Sequence, residues 1–344
     1  MTQLPTTPGG RPRVLLLMSE ATFALQFREP QLDRLRRLAV VGDLVRLDAL
    51  DGDEGRARLA EADVLVTSWG APPITLEQLD AAPRLRAVLH AAGSVRGLLP
   101  DAAWDRGIVV TSAADENARP VAEYTLAAII LAGKRAPFLA AEARTRRGGW
   151  SFAVEREDLT NRGRTVGIVG WSRIGRRTVE LLDVLETDAV LVADPTITAE
   201  DLAGTGAELV DLAELLRRSD IVSLHAPALP ETHHLIGAAE LALMPDGATL
   251  VNTARGALVD TAALEREAAA GRLSAILDVT DPEPLPATSV LYDLPNVMLT
   301  PHIAGSLGSE ARRMSDHALD ELERLTLGQP VLAPVTREHL VVGA

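Results

Sequence analysis

Thr165-Val166-Gly167-Ile168-Val169-Gly170-Trp171-Ser172-Arg173-Ile174-Gly175 is a β-rich apolar run that breaks into a glycine turn. Ile174, Leu181, Leu182 and Leu185 then recur at helical spacing. A strand, a tight turn and a helix N-terminus together form the setting that holds a dinucleotide pyrophosphate. Asp194 ends the next apolar run, where a carboxylate would accept hydrogen bonds from an adenosine ribose. It would also repel a 2′-phosphate, and Pro195 follows it with no cation. NAD rather than NADP is therefore the expected cofactor. The motif departs from its pattern at Ser172, which replaces the middle glycine. Its hydroxyl is expected to donate to a pyrophosphate oxygen. A strand-to-helix turn without a ligand is the competing account of the same residues.

Working outward, the same alternation of short apolar runs and helical segments fills the chain. Before residue 115 the runs are Val14–Met18, Leu44–Leu47, Val64–Thr67, Ala87–His90 and Ile108–Thr111. After residue 160 they are Thr165–Val169, Val190–Ala193, Ile221–Leu224, Thr249–Asn252, Ala275–Val279 and Val297–Thr300. Runs apolar on both faces, alternating with helices, indicate parallel sheets covered on both sides. The expected fold class is α/β, with two doubly wound parallel-sheet domains. One is a flavodoxin-like substrate domain and the other a Rossmann NAD-binding domain. Pro120–Arg135 reads as a helix with Pro120 in its first turn, where no backbone donor is needed. A second helical pattern, Ser309–Leu327, follows the last run and is expected to return to the first domain. The expected division is 1–115 with 304–344 for the discontinuous substrate domain, and 116–303 for the NAD-binding domain.

Composition narrows the function classes. The 344 residues carry 34 basic and 48 acidic side chains, a formal charge of −14. Such a surface repels phosphate backbones, so no nucleic-acid partner is expected. There is no cysteine, which excludes disulfides, thiolate nucleophiles and cysteine-held zinc. A cytoplasmic location is the expectation. The longest apolar stretch, Tyr124 to Gly133, is too short to span a bilayer. Met1–Pro12 lacks the apolar core of a secretory signal and reads as a loose tail. Lys134 is the only lysine, and the arginine excess implies no mechanism.

Ligands of open parallel sheets bind at the C-terminal strand ends. His225, Arg255, Glu283 and His302 each follow one of the later runs. Taken singly, each has an ordinary structural explanation; four on one rim beside a nucleotide turn form a constellation. A planar guanidinium there can grip a small carboxylate. Histidine beside a carboxylate is suited to donating a proton. The pair His233-His234 has no further histidine or carboxylate at ligand spacing, so no metal site is expected.

These motifs resemble the D-isomer-specific 2-hydroxyacid dehydrogenase family over roughly residues 60 to 310. The resemblance rests on the glycine turn, His225-Ala226-Pro227, Asn252-Thr253-Ala254-Arg255-Gly256, Asp278 through Glu283-Pro284, and Leu294-Pro295-Asn296 running into Thr300-Pro301-His302. Asn117, Val121-Ala122-Glu123 and Gly149-Trp150 match ahead of the turn. The resemblance implies that Arg255 binds the substrate carboxylate, that His302 is the acid–base residue and that Glu283 is its charge partner. It implies cofactor contacts from Gly170, Ser172, Arg173, Ile174, Gly175, Asp194, His225, Pro227, Thr253 and Asp278. Ser94 and Val95, in the turn Ala92-Gly93-Ser94-Val95, would offer N–H groups to the carboxylate, unless that turn is a plain connection. Trp69 borders the substrate pocket or packs between domains. The implied protein is a homodimer that transfers hydride between NAD(H) and a small 2-hydroxy or 2-keto acid, of glyoxylate/hydroxypyruvate-reductase type. A formate-oxidising relative would carry an amide where Glu283 stands. A phosphoglycerate dehydrogenase would carry a cation in Ser68-Trp69-Gly70 and an added regulatory domain. A dinucleotide-sensing corepressor or scaffold keeps the same motifs and stays open.

Overall fold

The computed structural model describes residues 10–338 apart from 44, 150, 155 and 157. Most of the stretch read as a tail, Leu44 of the second run and Trp150 of the Gly149-Trp150 match lie outside the described residues. The strands are β1 (Val14–Leu17), β2 (Arg46–Leu47), β3 (Val64–Thr67), β4 (Ala87–His90), β5 (Val109–Ser112), β6 (Thr165–Val169), β7 (Ala189–Ala193), β8 (Glu208–Leu209), β9 (Ile221–Leu224), β10 (Thr249–Asn252), β11 (Ser274–Leu277) and β12 (Val297–Leu299). They form two sheets, ordered β2-β1-β3-β4-β5 and β12-β11-β10-β9-β6-β7-β8. Every strand pairing within them is parallel. The first order is that of flavodoxin-like sheets, and the second is a Rossmann order extended by one strand.

Each sheet belongs to its own compact unit. One contains the described residues up to Asn117 and from Ser306 onward; the other is Ala118–Gly305. In the first unit the strand side chains divide by parity. Val14, Leu16, Val64, Val66, Ala87 and Leu89 enter one core, while Leu15, Leu17, Leu65 and Val88 enter the other. Successive side chains of a strand point to opposite faces, so each apolar run supplies two cores at once. The second unit repeats the pattern, with Leu250, Ala275 and Leu277 on one side and Val251 and Ile276 on the other.

Helix starts are where the sequence reading needs correcting. The helix expected from Pro120 runs Ala114–Gly133, so Pro120 is interior rather than in the first turn. Asp115 and Glu116 in the opening turn favour the earlier start by their interaction with the helix dipole. The two-residue edge strand β8 is not among the expected runs, because its residues form no apolar run.

In the first unit, helix Ala311–Thr326 buries Met314, Ala318, Leu319 and Leu322 in the same core as Leu16 and Leu89. Glu321 on this helix is completely buried. Its carboxylate accepts from the amide of Leu332 at 2.9 Å and that of Ala333 at 2.7 Å. The segment beyond continues with Trp104 Nε1 donating to the Val335 carbonyl at 2.8 Å. Glu321 is thus the anchor of the C-terminal strap. Glu321→Ala should remove about 2 kcal/mol of unfolding free energy, since charge-accepting hydrogen bonds vanish and their donors lose partners. Urea denaturation measures this, and an unchanged midpoint would show that the strap does not depend on the carboxylate.

Candidate active site at the strand ends of the seven-stranded sheet

Parallel pairing puts the strand ends of the second unit in one row. Val169 is level with Ala193 and Leu224, Asn252 is level with Leu224 and Leu277, and Leu277 is level with Leu299. The first residues past that row are Gly170, Asp194, His225, Thr253, Asp278 and Thr300. Five of these six are residues that the sequence reading assigns to the cofactor. The strand order reverses between β6 and β9, and this switch point is where open sheets leave a crevice.

The glycine turn sits at the switch point. Gly170 has φ +101°, and a Cβ there would lie 2.6 Å from the Ala226 amide nitrogen. A side chain is excluded on both conformational and steric grounds. Ser172 is the N-cap of helix Arg173–Leu182, and its oxygen accepts from the Gly175 amide at 3.3 Å. The serine at the middle glycine position therefore has a local task that the motif comparison does not reveal. Its φ of −73° requires no glycine. Asp194 accepts from the Trp171 amide at 2.7 Å through one oxygen. Through the other it accepts from the Thr196 amide and hydroxyl at 2.8 and 2.6 Å. The carboxylate is thereby oriented by backbone donors, with acceptor capacity left over. A turn whose first glycine admits no side chain, a helix N-terminus beyond it and a fixed carboxylate at the adjacent strand end fit a dinucleotide.

His225 is almost wholly buried, with Nε2 at 2.9 Å from Ser223 Oγ and Nδ1 without a partner. Thr253 is buried and shares a 2.8 Å hydroxyl–hydroxyl contact with Thr125. Pro227 is half-buried, and its carbonyl accepts from Thr232 Oγ1 at 2.6 Å.

Arg255 leaves the end of β10 exposed to solvent. Asn252 fixes the turn beneath it, accepting from the Ala254 amide at 3.0 Å and donating to the Arg255 carbonyl at 2.9 Å. The guanidinium donates to the Ala254 carbonyl at 2.6 Å, and among the described residues no carboxylate pairs with it.

His302 Nδ1 lies 2.6 Å from Glu283 Oε1, with both side chains about half exposed, at 52% and 44%. The histidine backbone is left-handed, with φ +53°. For a non-glycine residue this costs of order 1 kcal/mol, so the surroundings must hold it. Asp278 does so. Its carbonyl accepts from the His302 amide at 2.9 Å, and its carboxylate accepts from the amides of Ile303 and Ala304 at 2.8 Å each. Thr300 Oγ1 donates to the same carboxylate at 2.6 Å and meets the Tyr124 hydroxyl at 2.8 Å. Sequence reasoning quotes Asn252 and Thr300 within motifs but gives them no supporting task, and it misses Tyr124, Thr125 and Ser223. The partners of Tyr124, Thr125 and Thr300 lie far off in sequence, where no local pattern marks them.

In the first unit, Trp69 follows β3 and is 37% exposed. Ser68 beside it is buried, donating to the Ala91 carbonyl at 2.8 Å. After β4, Ser94 is exposed and accepts from the Arg96 amide at 3.3 Å, while Val95 is buried in the core. The sequence reading of His233-His234 needs one correction. Asp281, distant in sequence, brings a carboxylate oxygen within 4.8 Å of their ring nitrogens. Local spacing does not register a carboxylate brought in from another strand end.

A glycine turn at the switch point of a parallel sheet defines a dinucleotide-binding α/β protein. Residues 127–304 match the D-isomer specific 2-hydroxyacid dehydrogenase, NAD binding domain. The chain is 35% identical over 293 residues to a glyoxylate reductase of Aeropyrum pernix, covering 83% of this chain and 86% of that protein. It is 31% identical over 299 residues to a D-3-phosphoglycerate dehydrogenase of Methanocaldococcus jannaschii, covering 86% of this chain and 56% of that protein. This chain therefore matches little more than half of that relative's length. The crystal structure of the TT0316 protein from Thermus thermophilus is similar at TM-score 0.72 and 34% identity, covering 94% of this chain and 100% of that one. The chain belongs to the D-isomer specific 2-hydroxyacid dehydrogenase family. Among the described residues, no helix is long and apolar enough to cross a membrane.

Burial lowers the pKa of His225 to about 3. Burial also lowers that of His90, at the end of β4, to about 4, against a hydrogen bond with the Ser94 backbone. An unfolded histidine titrates near 6.5, so the unfolded chain binds protons that the folded one refuses. The stability from keeping these rings neutral is complete above about pH 6.5 and is lost as pH falls towards the folded values. Each ring contributes a slope of about 1.4 kcal/mol per pH unit in that window. Urea midpoints should fall between pH 7 and pH 5, and less steeply for His225→Gln. An identical pH dependence in the variant would mean that the buried ring does not resist protonation.

Proposed function

We propose that the protein is an NAD-dependent oxidoreductase acting on the CH–OH group of a small D-2-hydroxy acid, or on its keto form, of the glyoxylate/hydroxypyruvate-reductase type. One observation carries this reading: an exposed guanidinium, without a carboxylate partner among the described residues, stands two strand ends from a histidine hydrogen-bonded to a carboxylate. Bound NADH supplies the hydride. Gly170, Ser172, Arg173, Ile174 and Gly175 would hold its pyrophosphate, and Asp194 its adenosine ribose. His225, Pro227, Thr253 and Asp278 complete the contacts we assign to the cofactor.

Arg255 holds the substrate carboxylate in a bidentate grip and polarises the neighbouring carbonyl. Glu283 accepts from His302 Nδ1, which leaves Nε2 as the nitrogen that gives its proton to the carbonyl oxygen. In the reverse direction the same atom takes the hydroxyl proton. The unit carrying β1–β5 is assigned to the substrate, with Trp69, Ser94 and Val95 as its contacts. Ser68-Trp69-Gly70 supplies no cation for a phosphate, which supports a non-phosphorylated acid. A cytoplasmic homodimer completes the reading, on the family resemblance and the cysteine-free composition.

The direct experiment follows NADH oxidation with glyoxylate, hydroxypyruvate and pyruvate. Turnover of at least one keto acid is expected, with NADPH much poorer because of Asp194. No turnover of any would leave a binding protein on the same fold and end the enzyme reading. Comparable kcat/KM with NADPH would remove Asp194 from the ribose.

Arg255→Lys tests the substrate grip. It keeps the charge and loses the fork, so kcat/KM for the keto acid should drop about 10- to 100-fold while NADH affinity stays level. Near-normal kinetics in this variant would place the carboxylate elsewhere.

A further inference from the structure

The turn after β9 and the turn after β11 carry side chains that the dehydrogenase reading leaves unused. His233 and His234 are exposed, and their rings stack with centroids 3.9 Å apart. Asp281, in the turn after β11, brings a carboxylate oxygen to the pair, all three ligand atoms lying within 4.8 Å of one another. The juxtaposition comes from the backbone. The segment between Gly256 and Thr261 touches both turns and fixes their separation.

On one side the His234 amide donates to the Ala257 carbonyl at 2.8 Å, and the Ile236 amide to the Leu258 carbonyl at 2.9 Å. The preceding turn is closed by Thr232 Oγ1, which accepts from the Leu229 amide at 2.8 Å. His234 itself is held left-handed, with φ +54°. On the other side Thr261 Oγ1 donates to the Asp281 carbonyl at 2.7 Å. Gly256 packs so closely on this turn that a Cβ would fall 2.0 Å from the Thr280 carbonyl carbon. Both turns are therefore referenced to one short segment, and their ligand atoms meet by construction.

We propose that His233, His234 and Asp281 form a binding site for a late first-row divalent cation of the Zn²⁺ class. Two imidazoles and one carboxylate make a nitrogen-rich donor set that suits Zn²⁺, Ni²⁺ or Cu²⁺ and not Mg²⁺ or Ca²⁺. Ligand atoms at about 2.1 Å from a tetrahedral ion lie about 3.4 Å apart. The solvent-accessible side chains reach that spacing by drawing inward about 1 Å, with water filling the remaining position. Bound there, the ion ties the turn after β9 to the segment that carries Glu283, two residues beyond Asp281. Its three donors are other residues than the His302–Glu283 pair, and it does not depend on the proposed reaction.

The test is isothermal titration of the tag-free full chain with ZnCl₂, repeated in excess MgCl₂. One equivalent should bind with micromolar affinity, unaffected by Mg²⁺. His233→Ala/His234→Ala and, separately, Asp281→Asn should each weaken binding about tenfold or more. His302→Asn should bind as the parent does. Thermal melting provides a second reading, with a Zn²⁺-dependent rise in Tm that the double variant lacks. No binding by the parent up to about 1 mM, which is a free energy of only about −4 kcal/mol, would overturn the site. Undiminished affinity in the double variant, or loss of the ion in His302→Asn, would overturn it equally, by putting the cation elsewhere. Because the readout is binding, a failed keto-acid assay leaves this result interpretable.

Discussion

Parallel hydrogen bonding in the larger sheet imposes the constraint on which the site depends. Six strands end level with one another, so the chain must turn at the same height six times. Neighbouring strands are about 4.8 Å apart, and residues scattered through the sequence are thus delivered side by side. The register is itself fixed from below. Each strand alternates its side chains between two cores, and a slip of one residue would send every apolar side chain to the wrong face. The precision of the row at the top is inherited from packing in the middle of the sheet, well away from any chemistry.

Asp278 converts that row into a shaped site. It is buried, and a buried carboxylate needs several donors to offset its lost hydration. The donors it finds are the amides of Ile303 and Ala304 and the hydroxyl of Thr300. Satisfying Asp278 therefore winds the chain around it, and His302 is carried into a left-handed conformation it would not adopt alone. The exposed pair with Glu283 is a consequence of this winding. Surface ion pairs contribute little to stability by themselves, so the His302–Glu283 contact is positioned by the fold rather than responsible for it.

Much of this is legible in the sequence, and the boundary of legibility has a physical basis. Strands covered on both faces are written as short unbroken apolar runs, so the sheets, the fold class and the polar residues following each run can be read directly. Helix Ala114–Gly133 reads six residues short because Ala-Asp-Glu-Asn-Ala-Arg has no apolar period and Pro120 imitates a start. Ser172 looks like a departure from a glycine motif, since a cap is defined by the helix it closes and not by the ligand it faces. Tyr124 with Thr300, Thr125 with Thr253, and Asp281 with the histidine pair are contacts between distant segments. Motifs mark some of these residues, yet no local pattern says which distant residue each one meets.

Histidine illustrates how position decides chemistry when residue type does not. His90 and His225 both sit at strand ends, where a ligand-facing role is natural, yet both are buried and kept neutral by desolvation. A ring that cannot take up a proton near neutrality cannot act as an acid there, whatever its place in a motif. His225 can still shape the turn, since its backbone packs against Gly170 and its amide donates to the Val169 carbonyl at 2.7 Å. His302 differs in being open to solvent and tied to a carboxylate through one nitrogen only. Solvent and small solutes reach this ring without the fold opening. The distinction between an enclosed and an accessible histidine is thus set by burial and by hydrogen-bond partners, both of which follow from which strand end carries the ring.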